Sequence, residues 1–138
     1  MFVGTFEHSL DEKGRLVLPA AFRSDLAPGG FVGQLDRCLG VWTPEGFEDL
    51  VSRLNERVKA REVNPMSLRA LTANAADVKP DGQGRIFIPQ RLRDFAGIGR
   101  EAVVIGAYER IEVWDRARWA EASGEADQSW VEVVTGGI

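Results

Sequence analysis

Short apolar runs and longer helical spacings alternate along the chain. The runs at 16–18 and 86–88 read LVL and IFI, and each lies between a glycine-containing loop and a proline. Such a run is too short for a helix, and its branched and aromatic residues favour a strand. From Phe47 onward, apolar residues recur at spacings of 3, 4, 7 and 11, which predicts one face of an amphipathic helix. The pattern therefore predicts short strands alternating with helices.

The same pattern occurs twice. Residues 11–23 read DEKGRLVLPAAFR and residues 81–93 read DGQGRIFIPQRLR, with five identical positions at an offset of 70. The similarity continues at an offset of 72, where the tryptophans at 42 and 114 correspond. Such self-similarity predicts two copies of one structural unit. We expect a first repeat at 1–54, a connecting helical segment at 55–75, a second repeat at 76–123 and an acidic tail at 124–138.

Each repeat is predicted to contain the same elements. An opening strand, the repeated loop, a short strand and a helix are followed by a β-hairpin and a second helix. We expect the opening strands at 4–7 and 76–79, the short helices at 20–26 and 90–96, and the hairpin strands at 31–35, 39–42, 102–106 and 111–114.

In each repeat, a tryptophan is expected to be the last residue of the hairpin, and the residue after it is expected to cap the next helix. Trp42 and Trp114 follow apolar strand residues, so we interpret them as twin core anchors. Thr43 and Asp115 come next and are expected to cap helices. A further helix is expected to begin at Asn64, which precedes a proline.

The predicted fold class is α+β. A unit of about 50 residues buries little core by itself, whereas two copies together bury enough. We therefore expect two tandem pseudo-symmetric units that exchange strands and form one small β-barrel or sandwich, with helices packed outside. The two repeated loops would then lie as symmetric neighbours on one edge.

Composition narrows the functional classes. The chain has 138 residues, 44% of them hydrophobic and 28% charged, with one cysteine and one histidine. These counts exclude an internal disulfide scaffold and a Cys/His zinc cluster, so we expect neither a metal nor a cofactor. Every apolar run is far shorter than the roughly 20 residues that a membrane helix needs. The start of the chain has no signal-peptide pattern, and we expect a cytoplasmic protein without a membrane partner.

Net charge argues against a generally basic surface. The chain has 17 basic and 21 acidic residues, for a net charge of −4, and the stretch 119–138 holds four acids and no lysine or arginine. Residues 1–118 therefore balance at zero, which differs from the basic excess of a DNA-binding domain. Any contact with DNA must come from a local cluster that oligomerisation multiplies. The stretch from Ser123 is expected to be a loosely held tail, in which Trp130 is either mobile or packed on a neighbouring subunit.

The repeated Asp-x-x-Gly-Arg loop carries the most informative chemistry. Two such loops on one face would present Arg15 and Arg85, helped by Lys13 and Gln83. Arginine recognises guanine by donating two hydrogen bonds to its major-groove edge, and the remaining donors contact phosphate. Gln83 supplies no charge, so the first loop is expected to contribute more of the electrostatic attraction.

The other loop residues are predicted to shape the loop. Gly14 and Gly84 suit a backbone position with positive φ. Asp11 and Asp81 are poorly placed to face phosphate, and we expect them to accept hydrogen bonds from loop amides or from the arginine four residues later. The alternative is that each Asp–Arg pair only closes a turn.

The sequence resembles the MraZ family. The resemblance is carried by MFVGTFEH at 1–8, DEKGRLVLP at 11–19, DGQGRIFIP at 81–89 and the tryptophans after the two hairpins, and it extends to Ser123. It implies a bacterial transcriptional regulator of the division and cell-wall gene cluster, built as a swapped-hairpin fold of the AbrB type that is duplicated within one chain.

The resemblance also implies partners. They are double-stranded DNA, in the form of G-rich direct repeats upstream of the protein's own operon, and further copies of the chain in a ring-shaped homo-oligomer at the nucleoid. No small-molecule ligand is implied. Carried over by position, the implied DNA contacts are Lys13, Arg15, Gln83 and Arg85.

Two other functional classes are alternatives to DNA binding. Paired aspartates occur in hydrolases whose acids share a proton, but an arginine four residues later lowers the pKa of each carboxyl and opposes that sharing. Walker A, nucleophile-elbow and zinc motifs are absent from the sequence, and we expect no enzyme. The other class is an oligomerisation module whose loops bind a protein instead of DNA.

The arginines after the loops are a separate case. Arg23 and Arg93 either touch phosphate or pair with nearby acids such as Asp25 and Asp94. We favour the structural role, because arginine on a helix flank usually forms solvated pairs.

Overall fold

The predicted order of elements is confirmed in both repeats by a computed structural model that describes residues 1–137. The strands of the first repeat are β1 (Thr5–Ser9), β2 (Arg15–Val17), β3 (Gly30–Leu35) and β4 (Cys38–Trp42). Those of the second are β5 (Ala76–Val78), β6 (Arg85–Phe87), β7 (Glu101–Gly106) and β8 (Ile111–Asp115). The helices are α1 (Ala20–Leu26), α2 (Pro44–Lys59), α3 (Pro65–Asn74), α4 (Gln90–Ala96) and α5 (Arg116–Thr135).

The two repeats exchange strands. Six strands form one antiparallel sheet in the order β1-β7-β8-β4-β3-β5, while β2 and β6 form a separate two-stranded ribbon. The opening strand β1 thus pairs with β7 of the second repeat, and β5 pairs with β3 of the first. The α+β class and the antiparallel sheet are confirmed. The strand pairings within residues 1–137 do not close into a barrel.

Equivalent residues of the two repeats meet in one core. Leu16 and Ile86 face each other in the ribbon register, and both are fully buried. Leu18 and Ile88 are fully buried in the same cluster, to which α1 and α4 also contribute. Burial of each such side chain contributes about 1.5–3 kcal/mol. Because each repeat supplies half of the core, the ribbon and its two loops are held in place by both.

The expected helix caps are present. The side chains of Thr43, Asn64 and Asp115 each accept a hydrogen bond from a backbone N–H in the first turn of the helix that follows, over 3.0, 2.8 and 3.4 Å. Pro44 and Pro65 occupy the first helical position, where the missing N–H costs nothing.

The two hairpin tryptophans are not equivalent. Trp42 is buried as predicted, with 2% of its surface exposed, and its ring lies so close over Gly40 that a Cβ there would collide with it. Trp114 is only half-buried. It packs against Trp119 with ring centroids 5.3 Å apart and donates a hydrogen bond to Glu112. The prediction of twin core anchors is therefore wrong for the second repeat.

The single cysteine and the single histidine both lie in strands. Cys38 begins β4, because the hairpin reverses within the two residues before it, where Arg37 has a φ of 67°. Its side chain is buried, and this burial raises the thiol pKa to about 12. His8 is half-buried within β1.

The stretch from Ser123, expected to be a loosely held tail, is helical as far as Thr135. α5 begins after its Asp115 cap, packs against β7 and β8, and continues to Thr135. Its last turns carry exposed apolar side chains, including Trp130 at 58% and Val133 at 58% exposure. Within residues 1–137, no helix is both long and apolar enough to cross a membrane.

Candidate nucleic-acid interface

The β2–β6 ribbon brings the two repeated loops together. β2 and β6 are antiparallel, with Arg15 opposite Phe87 and Val17 opposite Arg85. Strand residues alternate between faces. Since the central pair of the ribbon is buried, these four flanking side chains share its outer face. The two arginines are diagonal neighbours, so their Cα atoms lie ~7–8 Å apart.

Both loops have the same hydrogen-bond pattern. Asp11 Oδ1 accepts from the backbone N–H groups of Lys13 and Arg15, each over 2.9 Å, and the N–H of Gly14 donates to the Asp11 carbonyl over 3.0 Å. The second loop repeats these contacts around Asp81, also over 2.9 Å. The aspartates therefore hold the loop shape, as one of the expected roles requires.

The same carboxylates orient the arginines. Arg15 Nε donates to Asp11 Oδ2 over 2.7 Å, and Arg85 Nε donates to Asp81 Oδ2 over 2.8 Å. Within residues 1–137, the hydrogen bonds of both side chains use only Nε. The terminal nitrogens Nη1 and Nη2 therefore keep their donors for another molecule. The Asp–Arg pair closes the turn and also presents a guanidinium.

Hydrogen bonding lowers the pKa of both aspartates. For Asp11 the main cause is the backbone N–H of Arg15, aided by the Arg15 side chain; for Asp81 it is the backbone N–H of Arg85. A lowered pKa favours the ionised carboxylate, which opposes proton sharing. The stabilisation from these contacts is fully present above the ordinary carboxyl pKa of 3.8 and is lost as pH falls through the lowered pKa of each folded loop.

Glycine is required at both loop positions because the backbone has a positive φ there and because a neighbouring arginine leaves no room for a Cβ. Gly14 and Gly84 have φ values of 81° and 75°. A Cβ at Gly14 would lie 2.8 Å from the guanidinium carbon of Arg93, and one at Gly84 would lie 2.7 Å from that of Arg23. Each arginine thus supports the loop of the opposite repeat.

The predicted pairing of these two arginines with nearby acids is wrong, because both donate to backbone carbonyls instead. Arg23 Nε donates to the carbonyl of Leu18 over 2.9 Å, and Arg93 Nε donates to that of Ile88 over 3.0 Å. The ion pairs within residues 1–137 include neither Arg23 nor Arg93. This cross-repeat support could not be seen in sequence spacing, because loop and arginine belong to different repeats.

We predict that Arg93→Ala loosens the first loop more than the second. Removing this guanidinium leaves the Ile88 carbonyl without its donor and opens space under Gly14, at a cost of about 1–3 kcal/mol. We expect faster amide hydrogen exchange in the first loop, 11–15, than in the second, 81–85. The control is Arg91→Ala, which removes an exposed arginine from the same helix. Equal exchange in both loops of the Arg93 variant would contradict the cross-repeat role.

An additional cation beside the first loop was missed by the sequence analysis. Arg100 is exposed, and it lines an open cavity of about 400 Å³ together with Asp11, Glu12 and Arg93. The corresponding stretch of the first repeat is Pro28-Gly29-Gly30, which has no charge. Aligning the repeats beyond the short helices would have shown this difference.

A comparison with protein families matches the chain in two consecutive stretches, in agreement with the internal repeat. A family model described as "MraZ protein, putative antitoxin-like" matches residues 1–69 and residues 71–133. The chain belongs to the MraZ family. The resemblance seen in the sequence is thereby confirmed over both repeats.

Curated MraZ relatives match over nearly the full chain. Transcriptional regulator MraZ of Salinispora arenicola is 40% identical over 138 residues, covering 99% of this chain and 96% of the relative. The protein of the same name from Thermobifida fusca is 44% identical, covering 97% and 94%, and that of Clavibacter michiganensis is 46% identical, covering 88% and 85%. Membership in a family of regulators confirms the prediction that the chain is not an enzyme.

Proposed function

We propose that this MraZ-family protein is a transcriptional regulator that binds double-stranded DNA sequence-specifically through the β2–β6 ribbon and its two loops. The proposed targets are G-rich direct repeats upstream of its own operon, in the division and cell-wall gene cluster, and the proposed location is the nucleoid in the cytoplasm. The relatives' names support regulation of transcription. The family resemblance supports the more specific proposal that the targets are G-rich direct repeats upstream of the protein's own operon.

The arginine geometry carries this proposal. Each loop fixes its guanidinium through Nε, so the two terminal nitrogens are preorganised as a pair of donors. A guanine presents O6 and N7 as two acceptors in the major groove, and that groove admits a two-stranded ribbon. The arginines lie ~7–8 Å apart, which spans about two base steps of ~3.4 Å. One ribbon is therefore proposed to contact two guanines that lie about two base steps apart.

Lys13 and Gln83 are proposed to support these contacts. Both lie in the exposed part of their loops, two residues before the arginine. Lys13 adds a charge for phosphate, whereas Gln83 contributes hydrogen bonds alone. Glu12 offsets the charge of Lys13, so the stronger attraction of the first loop to the DNA backbone is proposed to come from the exposed Arg100 beside it.

We also propose a homo-oligomeric ring. Residues 1–118 carry no net charge and the remainder is acidic, so one ribbon has little long-range attraction to DNA. Several copies that present their ribbons side by side would add weak contacts through effective concentration. Copies placed side by side in the same orientation match DNA sites that are repeated in the same orientation. The exchanged strands support a swapped-hairpin architecture of the AbrB type, with repeats at 1–54 and 76–123 and the helical segment 55–75 between them.

A fluorescence-anisotropy titration tests the proposed function. The probe is the duplex upstream of the protein's own gene, compared with a base-shuffled duplex at two salt concentrations. We expect tighter binding to the native duplex, weakened by salt because phosphate contacts release counterions. Equal, feeble binding to both duplexes would overturn DNA regulation and favour a protein partner for the loops.

A further inference from the structure

The outer face of the ribbon carries one large exposed apolar side chain. Phe87 lies in β6 between the fully buried Ile86 and Ile88, yet 53% of its own surface is exposed. A single exposed phenylalanine is ordinary on a protein surface. Its position is informative here, because it is directly opposite Arg15 in the ribbon register.

This pairing places an apolar group beside a base-recognising donor. Opposed residues of an antiparallel pair have Cα atoms ~4.5–5.5 Å apart, which corresponds to between one and two base steps of ~3.4 Å. If Arg15 binds a guanine edge, the Phe87 ring faces a base pair close to it. Among the four bases, only thymine presents an apolar group in the major groove, which is its 5-methyl group. Phenylalanine is one of the side chains that contact this methyl group.

We propose that Phe87 recognises the 5-methyl group of a thymine adjacent to the guanine bound by Arg15. The inference rests on the proposed function, since it assumes that the ribbon enters the major groove. It adds a specificity-determining residue that lies outside the repeated loops.

The two repeats differ at this position. The residue opposite Arg85 is Val17, which is smaller and only half-exposed. One end of the ribbon therefore combines Lys13, Arg15 and Phe87, and the other combines Gln83, Arg85 and Val17. A ribbon with unlike ends has a direction on DNA. Copies arranged head to tail along direct repeats would all use the same orientation.

The test replaces thymines by deoxyuridine. Each thymine of the upstream duplex is replaced singly, which removes the methyl group and keeps every hydrogen-bonding group of the base. Losing one apolar carbon contact of about 0.8 kcal/mol weakens binding about fourfold. We expect this loss at one thymine position in each direct repeat and at no other thymine.

The variant Phe87→Val makes the second repeat like the first at this position and keeps a residue that favours strands. It is expected to bind the thymine and uracil duplexes equally because valine is shorter than phenylalanine, and Phe87→Ser provides a second variant that has no apolar side chain. The matched control is Phe95→Val, because Phe95 is 54% exposed on α4 and lies outside the ribbon. The control is expected to keep the wild-type preference.

Two outcomes overturn the inference and leave the proposed function intact. One is sequence-specific binding that no single uracil weakens. The other is a uracil effect that persists unchanged in both Phe87 variants, which would assign the methyl contact to another residue. Binding without sequence preference would instead overturn the proposed function, and the inference with it.

Discussion

Replacing Arg15 and Arg85 together by alanine is expected to abolish sequence-specific DNA binding. Each bidentate arginine–guanine contact contributes about 1–3 kcal/mol of discrimination, so two per subunit contribute at least about 2 kcal/mol, or about 30-fold in Kd. Oligomerisation multiplies that loss, because every subunit loses both contacts. The measurement is anisotropy with the upstream and shuffled duplexes, together with the mass of the oligomer in solution.

A charge-matched control separates position from charge. Arg53→Ala with Arg57→Ala also removes two positive charges, from exposed residues of α2 whose ion pairs are solvated. Such pairs contribute about 0–1 kcal/mol, and we expect specific binding to persist. If both double variants lose binding equally, general charge rather than the ribbon explains DNA affinity. If the Arg15/Arg85 variant binds normally with its oligomer intact, the site assignment is wrong.

The second large effect concerns the core under the ribbon. Ile86→Ala is expected to lower the free energy of unfolding by about 2–5 kcal/mol, because Ile86 is fully buried and the cavity left by truncation cannot be filled by a rigid neighbour. That is a large share of the about 5–15 kcal/mol by which a domain is stable. Leu16→Ala is expected to cost a similar amount. Chemical denaturation followed by tryptophan fluorescence measures both.

The coupling of these two positions distinguishes a shared core from two separate ones. Leu16 and Ile86 face each other across the ribbon, so the double variant should differ from the sum of the single ones by more than about 0.5 kcal/mol. Met66→Ala, on the exposed side of α3, is the control and is expected to change stability by about 0.5 kcal/mol or less. Additive losses at 16 and 86 would contradict a core shared by the repeats.

Local sequence signals were sufficient for most elements. The short helices after Pro19 and Pro89 begin and end where the sequence predicted them, because proline suits the first turn and glycine or a proline–glycine pair ends each helix. The loops were also predictable, since Asp, Gly and Arg at fixed spacing have few ways to satisfy their hydrogen bonds. The sequence did not predict the helical continuation beyond Ser123, because acidic composition and terminal glycines are typical of a loosely held tail.

By itself, the sequence determined the repeat, the order of strands and helices, and the chemistry of each loop. These features depend on neighbours a few residues apart, whose hydrogen bonds and side-chain periodicity are local. An exchange of strands between the repeats was expected, but only the tertiary structure decided that β1 and β5 are the exchanged strands, that Arg93 supports Gly14, and that Phe87 lies beside Arg15 on one face. The physical reason is that strands distant in the chain pair where they bury residues of both repeats in one core, as Leu16 and Ile86 are buried in the ribbon, and no local pattern specifies this.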